Sequence, residues 1–239
     1  MLILALDTSA AGGSAAVIRV DGVHTIVLER AGDAARSHGE RLPMELMTLL
    51  REAGAAIEDV DRLAVAVGPG SFTGLRVGIA TIQGLALARA RPVTPVSTFD
   101  ALAWQARGAT SMDAIAAWVD AHRGEVFATL LAPGGRTVLV PAAALAPEAT
   151  LDAWRDALAP FPRVHFLGDG AVRYRDVIRE RLGAQARIDA AAPMLAAAIG
   201  WIAAAEPDRA VHPHALVPLY VRRPDVELAR DRRQAAAKP

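Results

Sequence analysis

The sequence predicts an α/β chain of two mixed lobes in which one unit is used twice. Three observations carry that reading. Each half opens with an apolar run that ends in an acid, residues 2–6 before Asp7 and residues 114–119 before Asp120. Each acid stands 15 residues before a turn glycine, Asp7 to Gly22 and Asp120 to Gly135, and the two acids are 113 residues apart. In both halves strand-like runs then give way to helical periodicity.

The elements follow in order. Residues 2–6 form a first strand, 7–13 a polar turn and 14–20 a second strand, and Asp21-Gly22 makes a tight hairpin into a third strand over 23–29. Leu42, Leu46, Leu49, Leu50 and Ala53 recur on one helical face, stopped by Gly54. Ser37 with Glu40 reads as a capping box, whereas Pro43 argues for a start near Leu42. A buried strand at 63–67, a glycine-rich turn, a helix over 72–89, a strand at 93–96 and a helix capped by Ser97 or Thr98 complete the first half. The second half repeats strands at 114–119, 125–131 and 136–140. Helices follow at 151–158, 172–182 and 194–205, with a strand at 164–167 between the first two. This order points to two RNase-H-like lobes on the plan of actin, Hsp70 and sugar kinases (ASKHA), each a mixed five-stranded-type sheet flanked by helices. The boundaries are 1–103 for the N-terminal lobe, 104–221 for the C-terminal lobe and 222–239 for a tail without apolar periodicity. On that plan Asp7, Thr8, Ser9 and Asp120 line a nucleotide cleft, because carboxylates at strand ends hold metal-bound water and turn N–H groups wrap phosphates. Asp7 and Asp120 serve equally as turn caps.

Composition narrows the chemistry. The 239 residues carry 26 basic and 26 acidic side chains, which weighs against a surface basic enough to bind nucleic acid unaided. With no cysteine, the chain has no disulfide, thiol nucleophile or zinc–thiolate site. No His-Glu-x-x-His occurs and no histidine has a second one four residues on, so a metal site is not expected. The longest uncharged run, 190–205, has 16 residues and includes Pro193, short of the roughly 20 that span a bilayer. The N-terminus lacks a basic lead-in, and a cytoplasmic protein without membrane contact is expected.

The segment Gly68-Pro69-Gly70-Ser71-Phe72-Thr73-Gly74-Leu75-Arg76-Val77-Gly78 lies between a strand and a helix, where phosphate cradles occur. It lacks the Lys-[Ser/Thr] of a Walker A loop, its third glycine is one place late for a dinucleotide fingerprint, and Ser71 lacks the flanking glycines of a hydrolase elbow. What remains is a stripe: Gly70, Gly74 and Gly78 share one helical face. Each interior glycine costs about 0.5–1 kcal/mol relative to alanine, so the stripe implies close approach by another backbone. Packing within the chain and docking of a partner fit the spacing equally.

At this segment the chain resembles the TsaB (YeaZ) family. GPGSFTGLRVGIATIQGLALA at 68–88 is that family's signature nearly throughout, and ILALDTS (3–9), PVTPVSTFDALA (92–103), DAHRGEVF (120–127), GDGA (168–171) and PLYVR (218–222) fit in the same order. One departure is His38-Gly39-Glu40-Arg41-Leu42-Pro43, with proline one place earlier than in the family pattern. The resemblance implies a non-catalytic subunit that pairs with the TsaD catalytic subunit in threonylcarbamoyl transfer to N6 of the adenosine beside the anticodon, in tRNAs reading codons that begin with A. It implies the TsaE ATPase as a further partner, self-association of the lone chain through the same face, and tRNA contact mainly through the complex. It places Arg41 and Met44 on the first helix, and Ser71, Phe72, Gly74, Leu75, Arg76, Gly78 and Ile79 on the second, at the partner interface. No cofactor is required, and a vestigial cleft at Asp7, Thr8, Ser9 and Asp120 leaves room for weak ATP or ADP binding. Two rival readings remain: an actin-like ATPase or small-molecule kinase using those cleft residues, and a glycoprotease-type peptidase, for which no nucleophile or metal site is visible.

Overall fold

The computed structural model describes residues 1–21, 24–107 and 112–222. The tail, apart from Arg222, and part of the Asp21-Gly22 hairpin lie outside the described residues. The first sheet contains β1 (Leu2–Asp7), β2 (Ser14–Asp21), β3 (His24–Ala31), β4 (Arg62–Gly68) and β5 (Val93–Ser97) in the order β3-β2-β1-β4-β5. The second contains β6 (Ala114–Asp120), β7 (Val126–Leu131), β8 (Val138–Leu145), β9 (Val164–Leu167) and β10 (Ala186–Ile188) in the order β10-β9-β6-β7-β8. Position for position the orders are the same. In both sheets the first three strands are antiparallel and the last two join in parallel. The internal duplication and the two-lobed RNase-H-like architecture are therefore present.

Eight α-helices flank the sheets among the described residues: α1 (His38–Glu52), α2 (Phe72–Arg89), α3 (Thr98–Ala106), α4 (Pro147–Ala153), α5 (Arg155–Leu158), α6 (Asp169–Arg173), α7 (Arg175–Leu182) and α8 (Ala196–Ala205). α1 starts at His38, not near Leu42: Glu40 accepts from the Ser37 N–H at 3.1 Å and from its hydroxyl at 2.7 Å, and Pro43 is accommodated inside the helix. Ser97, not Thr98, caps α3, accepting from the N–H groups of Phe99 and Asp100.

The period-2 alternation of the strands sorts the core into layers. Leu4, Leu6, Val17, Leu63 and Val65 face α1 and α2. Ala5, Ala16, Ala64 and Ala66 face inward onto α3 and α8, which lie between the two sheets. Small side chains on that inner face let α8 come close. At Gly200 even a Cβ would sit 2.6 Å from Ile18 Cδ1. The far side of the second sheet is closed by Trp118, Trp154, Phe166 and Ile178, with Trp118 edge-on to both aromatic neighbours.

One expected boundary is revised. α8 packs on β1, β2 and β4, Val211 bridges Val93, and the Leu219 N–H donates to the Val67 carbonyl at 2.7 Å. Residues from about 195 to 221 thus return to the first lobe, rather than belonging to a C-terminal lobe of 104–221. The joint is specific. The Ser14 hydroxyl accepts from the N–H groups of Leu195 (3.2 Å) and Ala196 (3.0 Å), and Glu29 accepts from that of Ala197 (2.8 Å). Side chains of β2 and β3 therefore supply the N-terminal cap that α8 lacks in its own sequence.

Candidate functional site

Two regions were singled out by the sequence, the cleft and the glycine stripe, and they meet at the turn after β1. Asp7 Oδ1 accepts from the Ser9 N–H at 2.8 Å, and the Ser71 N–H donates to the Ser9 carbonyl at 2.7 Å, fixing that turn against the start of α2. Gly68 at the end of β4 and Gly168 at the end of β9 occupy matched backbone conformations, φ +113° and +107°, that side chains rarely adopt. Each sheet thus hands over to a helix at a positive-φ glycine corner, directly into α6 at Gly168 and after a three-residue turn at Gly68.

Between the lobes the corner leaves little space. Asp7, Ser9 and Thr98 from the first lobe and Gly168 and Asp169 from the second line a cavity of about 30 Å³. Ligand pockets for drug-sized molecules run to roughly 300–1,000 Å³. Burial pushes the Asp7 carboxyl above its usual range; hydrogen bonds from Ser9 act the other way and the nearby Glu29 charge adds to the rise. Asp169 is raised first by burial and then by the charges of Asp120 and Asp7, against hydrogen bonds from the Asp120 and Gly170 N–H groups. Asp120 does not line the cavity; it accepts from Arg173 at 3.2 Å and from the His122 N–H at 3.1 Å. Thr8 is turned away onto α2. Of the four expected cleft residues, only Asp7 and Ser9 border the space between the lobes, and Asp169 is the acid that sequence reasoning missed.

The glycine stripe faces inward. A Cβ at Gly74 would overlap the Thr8 carbonyl oxygen, and one at Gly78 would overlap the Thr8 hydroxyl. Gly74, Leu75, Gly78 and Ile79 are buried within the chain, so their expected place at the surface of a partner interface is corrected. Arg41 is corrected too. Its side chain is 2% exposed and bonded to Glu45, to the Gly12 carbonyl and, at 2.6 Å, to His38 Nδ1. It pins α1 to the β1–β2 turn. Burial, and then the Arg41 charge, hold the His38 imidazole below its ordinary pKa.

The remaining interface candidates are accessible. Met44 is 72% exposed and Phe72 43%; Arg76 is exposed, and Ser71 is half-buried as the cap of α2. Arg76 lies 3.7 Å from the Phe72 ring centroid and donates through Nε to the Tyr220 hydroxyl at 3.1 Å. Beyond them runs a row that sequence reasoning did not single out: Thr73, Ala80, Gly84 and Leu87, exposed on α2 at helical spacing, with Val77 among them half-buried against the core. Leu87 is 46% exposed, and among the described residues nothing lies within 4 Å of a Cβ at Gly84. The signal for this row was available, because residues 72–88 contain one charge, Arg76. A helix so nearly free of charge is expected to be covered on most of its sides. Among the described residues α2 packs on β1, β4 and β5, on α1 and on the turn at Pro213–Ala215, and Thr73, Ala80, Gly84 and Leu87 stay exposed.

Comparison with known proteins fits this geometry. The family model described as "TsaD: tRNA N6-adenosine threonylcarbamoyltransferase" matches residues 30–230. An uncharacterized protein of Mycobacterium tuberculosis is 32% identical over 227 residues, covering 94% of this chain and 93% of its own. The tRNA threonylcarbamoyladenosine biosynthesis protein TsaB of Bacillus subtilis is 30% identical over 233 residues, covering 95% and 96%. The solved structure of YeaZ from Pseudomonas aeruginosa superimposes with a TM-score of 0.69 at 30% identity, over 92% of this chain and 99% of that one. With a relative so named matched from end to end and the same fold in YeaZ, this chain belongs to the TsaB (YeaZ) family.

Proposed function

We propose that the chain serves tRNA threonylcarbamoyladenosine biosynthesis as a partner subunit with no bond-making chemistry of its own. The outer row of α2, with Met44 of α1 and the Phe72–Arg76 pair beside it, would receive the catalytic TsaD-type subunit. The observation that carries this reading is the row of small and apolar residues beside Arg76 on α2, left exposed among the described residues on a helix otherwise packed on the sheet and α1. Arg76, held between an aromatic face and a tyrosine hydroxyl, is preorganised as an anchor of the kind that dominates interface energetics. Contact with one arrangement of the catalytic subunit more than with another would shift that subunit toward its transfer-competent state. A TsaE-type ATPase would join the pair, tRNA would be held mainly by the assembly, and a homodimer on the same row would compete with it.

Mixing the chain with the TsaD-type subunit and tRNA of the same organism tests the reading. Modification is expected to require this chain, and undiminished modification without it would refute the role. The narrow space between the lobes supports a second expectation, that titration of the purified chain with ATP gives no saturable heat. Saturable binding with Asp7-dependent hydrolysis would favour an actin-like ATPase instead.

A further inference from the structure

The contact between Tyr220 and Arg76 joins positions 144 residues apart, and the tyrosine is fixed from both of its sides. Residues 216–222 form a strap across the end of β4. Leu216 is buried in the core of the first lobe, and the Leu219 N–H donates to the Val67 carbonyl at 2.7 Å. The strap runs so near Gly68 that a Cβ there would sit 2.8 Å from the Leu219 carbonyl oxygen. Beyond Tyr220 it reaches the second lobe, where Arg222 donates to the Ala121 carbonyl at 3.0 Å and pairs with Glu125 at 2.7 Å. Both lobes therefore set the place of Tyr220, which is 38% exposed and has its ring 5.6 Å from that of Phe72.

This placement orients Arg76. The Phe72 ring takes one face of the guanidinium, and the Tyr220 hydroxyl accepts from its Nε–H. A guanidinium carries five N–H donors in a planar fork. The four on Nη1 and Nη2 have no hydrogen-bond partner among the described residues. With Nε engaged, the edge left for a partner is the one between Nη1 and Nη2, which matches the two oxygens of a carboxylate. Arg76 is also the one charge on residues 72–88, so a surface closing over this row needs a counter-charge at that point.

We propose that Tyr220 is a positioning residue for docking: it holds Arg76 over Phe72 so that the Nη edge receives an Asp or Glu carboxylate of the catalytic subunit. The proposal rests on the docking reading above and adds the chemistry of the contact. The test is a double-mutant cycle on the affinity of the full chain for the TsaD-type subunit, measured by calorimetry without tRNA. Tyr220→Phe keeps the ring against Phe72 and is expected to weaken binding about 2–10-fold, the cost of ordering one long side chain on association. Arg76→Ala is expected to weaken it about 30-fold or more, as truncation of an interface anchor does. Arg76→Lys keeps the charge but not the fork and should fall between the two. In the Arg76→Ala background Tyr220→Phe should cost nothing further, because nothing is left to position.

No loss with Tyr220→Phe, or equal losses in both backgrounds, would overturn the proposal; the second result would mean that Tyr220 meets the partner, or braces the strap, on its own account. So would an Arg76→Ala chain that binds like the unaltered one, or that weakens only once tRNA is added, which would assign Arg76 to an RNA phosphate. If Gly84→Arg blocks binding and these variants do not, the docking reading stands and the positioning role alone falls. If the unaltered chain does not bind, both fall.

Discussion

Gly74→Ala and Gly78→Ala are each expected to destabilise the chain by about 1–3 kcal/mol, the usual cost of forcing a methyl into a filled core. The sign makes the experiment informative. In an exposed helix interior the same change stabilises by about 0.5–1 kcal/mol, because alanine loses less backbone entropy than glycine. At these two sites the new Cβ meets Thr8, backbone carbonyl at one and hydroxyl at the other, and Thr8 is fully buried in the turn after β1. A carbonyl in a hydrogen-bonded turn cannot retreat as a flexible side-chain tip can. Gly84→Ala is the internal control: none of the described residues stands within 4 Å of its Cβ, and it should stabilise. Urea unfolding of the three variants measures the contrast. Stabilisation by all three would mean that the β1–β2 turn yields, and that the stripe is not the packing surface described above.

Gly84→Arg is expected to abolish assembly with the TsaD-type subunit while leaving the isolated chain as stable as before, or slightly more so. The site is open among the described residues, and arginine is a better helix former than glycine, so the fold loses nothing. At a docked surface, however, the long cation would be desolvated against an uncharged row containing Ala80 and Leu87, and an unpaired buried charge is not tolerated. Size-exclusion chromatography with light scattering separates the outcomes. An intact complex with Gly84→Arg would remove the outer row of α2 from the interface and direct attention to the exposed Phe72–Arg76–Tyr220 cluster.

Much of this architecture was legible in the residues. The spacing fixed α2 at Phe72–Arg89 and β9 at Val164–Leu167 to the residue, and the Asp7/Asp120 offset marked the three-strand opening that the two sheets share. Periodicity identifies a face but not the element that covers it. That is why the glycine stripe read equally as docking surface and as interior, and why the Thr8 turn that fills it could not be named. It is also why α8, a run of alanines and isoleucines, gave no hint that it crosses to the first sheet. Arg41 misled through its charge, since a guanidinium inside a lobe is unusual unless several acceptors are brought to it. Here they come from α1 and from the Gly12 turn far away in sequence. β10 escaped notice because three residues, Ala186–Ile188, are too few for an alternation to appear.

The two helices lodged between the sheets carry a consequence for how the molecule moves. α3 follows the last strand of the first sheet and α8 follows the last strand of the second, yet both belong to one apolar cluster that draws on both sheets. Clamshell proteins of two lobes open about a hinge because little is shared across the gap. In this chain a comparable opening would have to tear that common interior apart. The molecule is therefore built to present a rigid profile to whatever it meets, and to melt as one body.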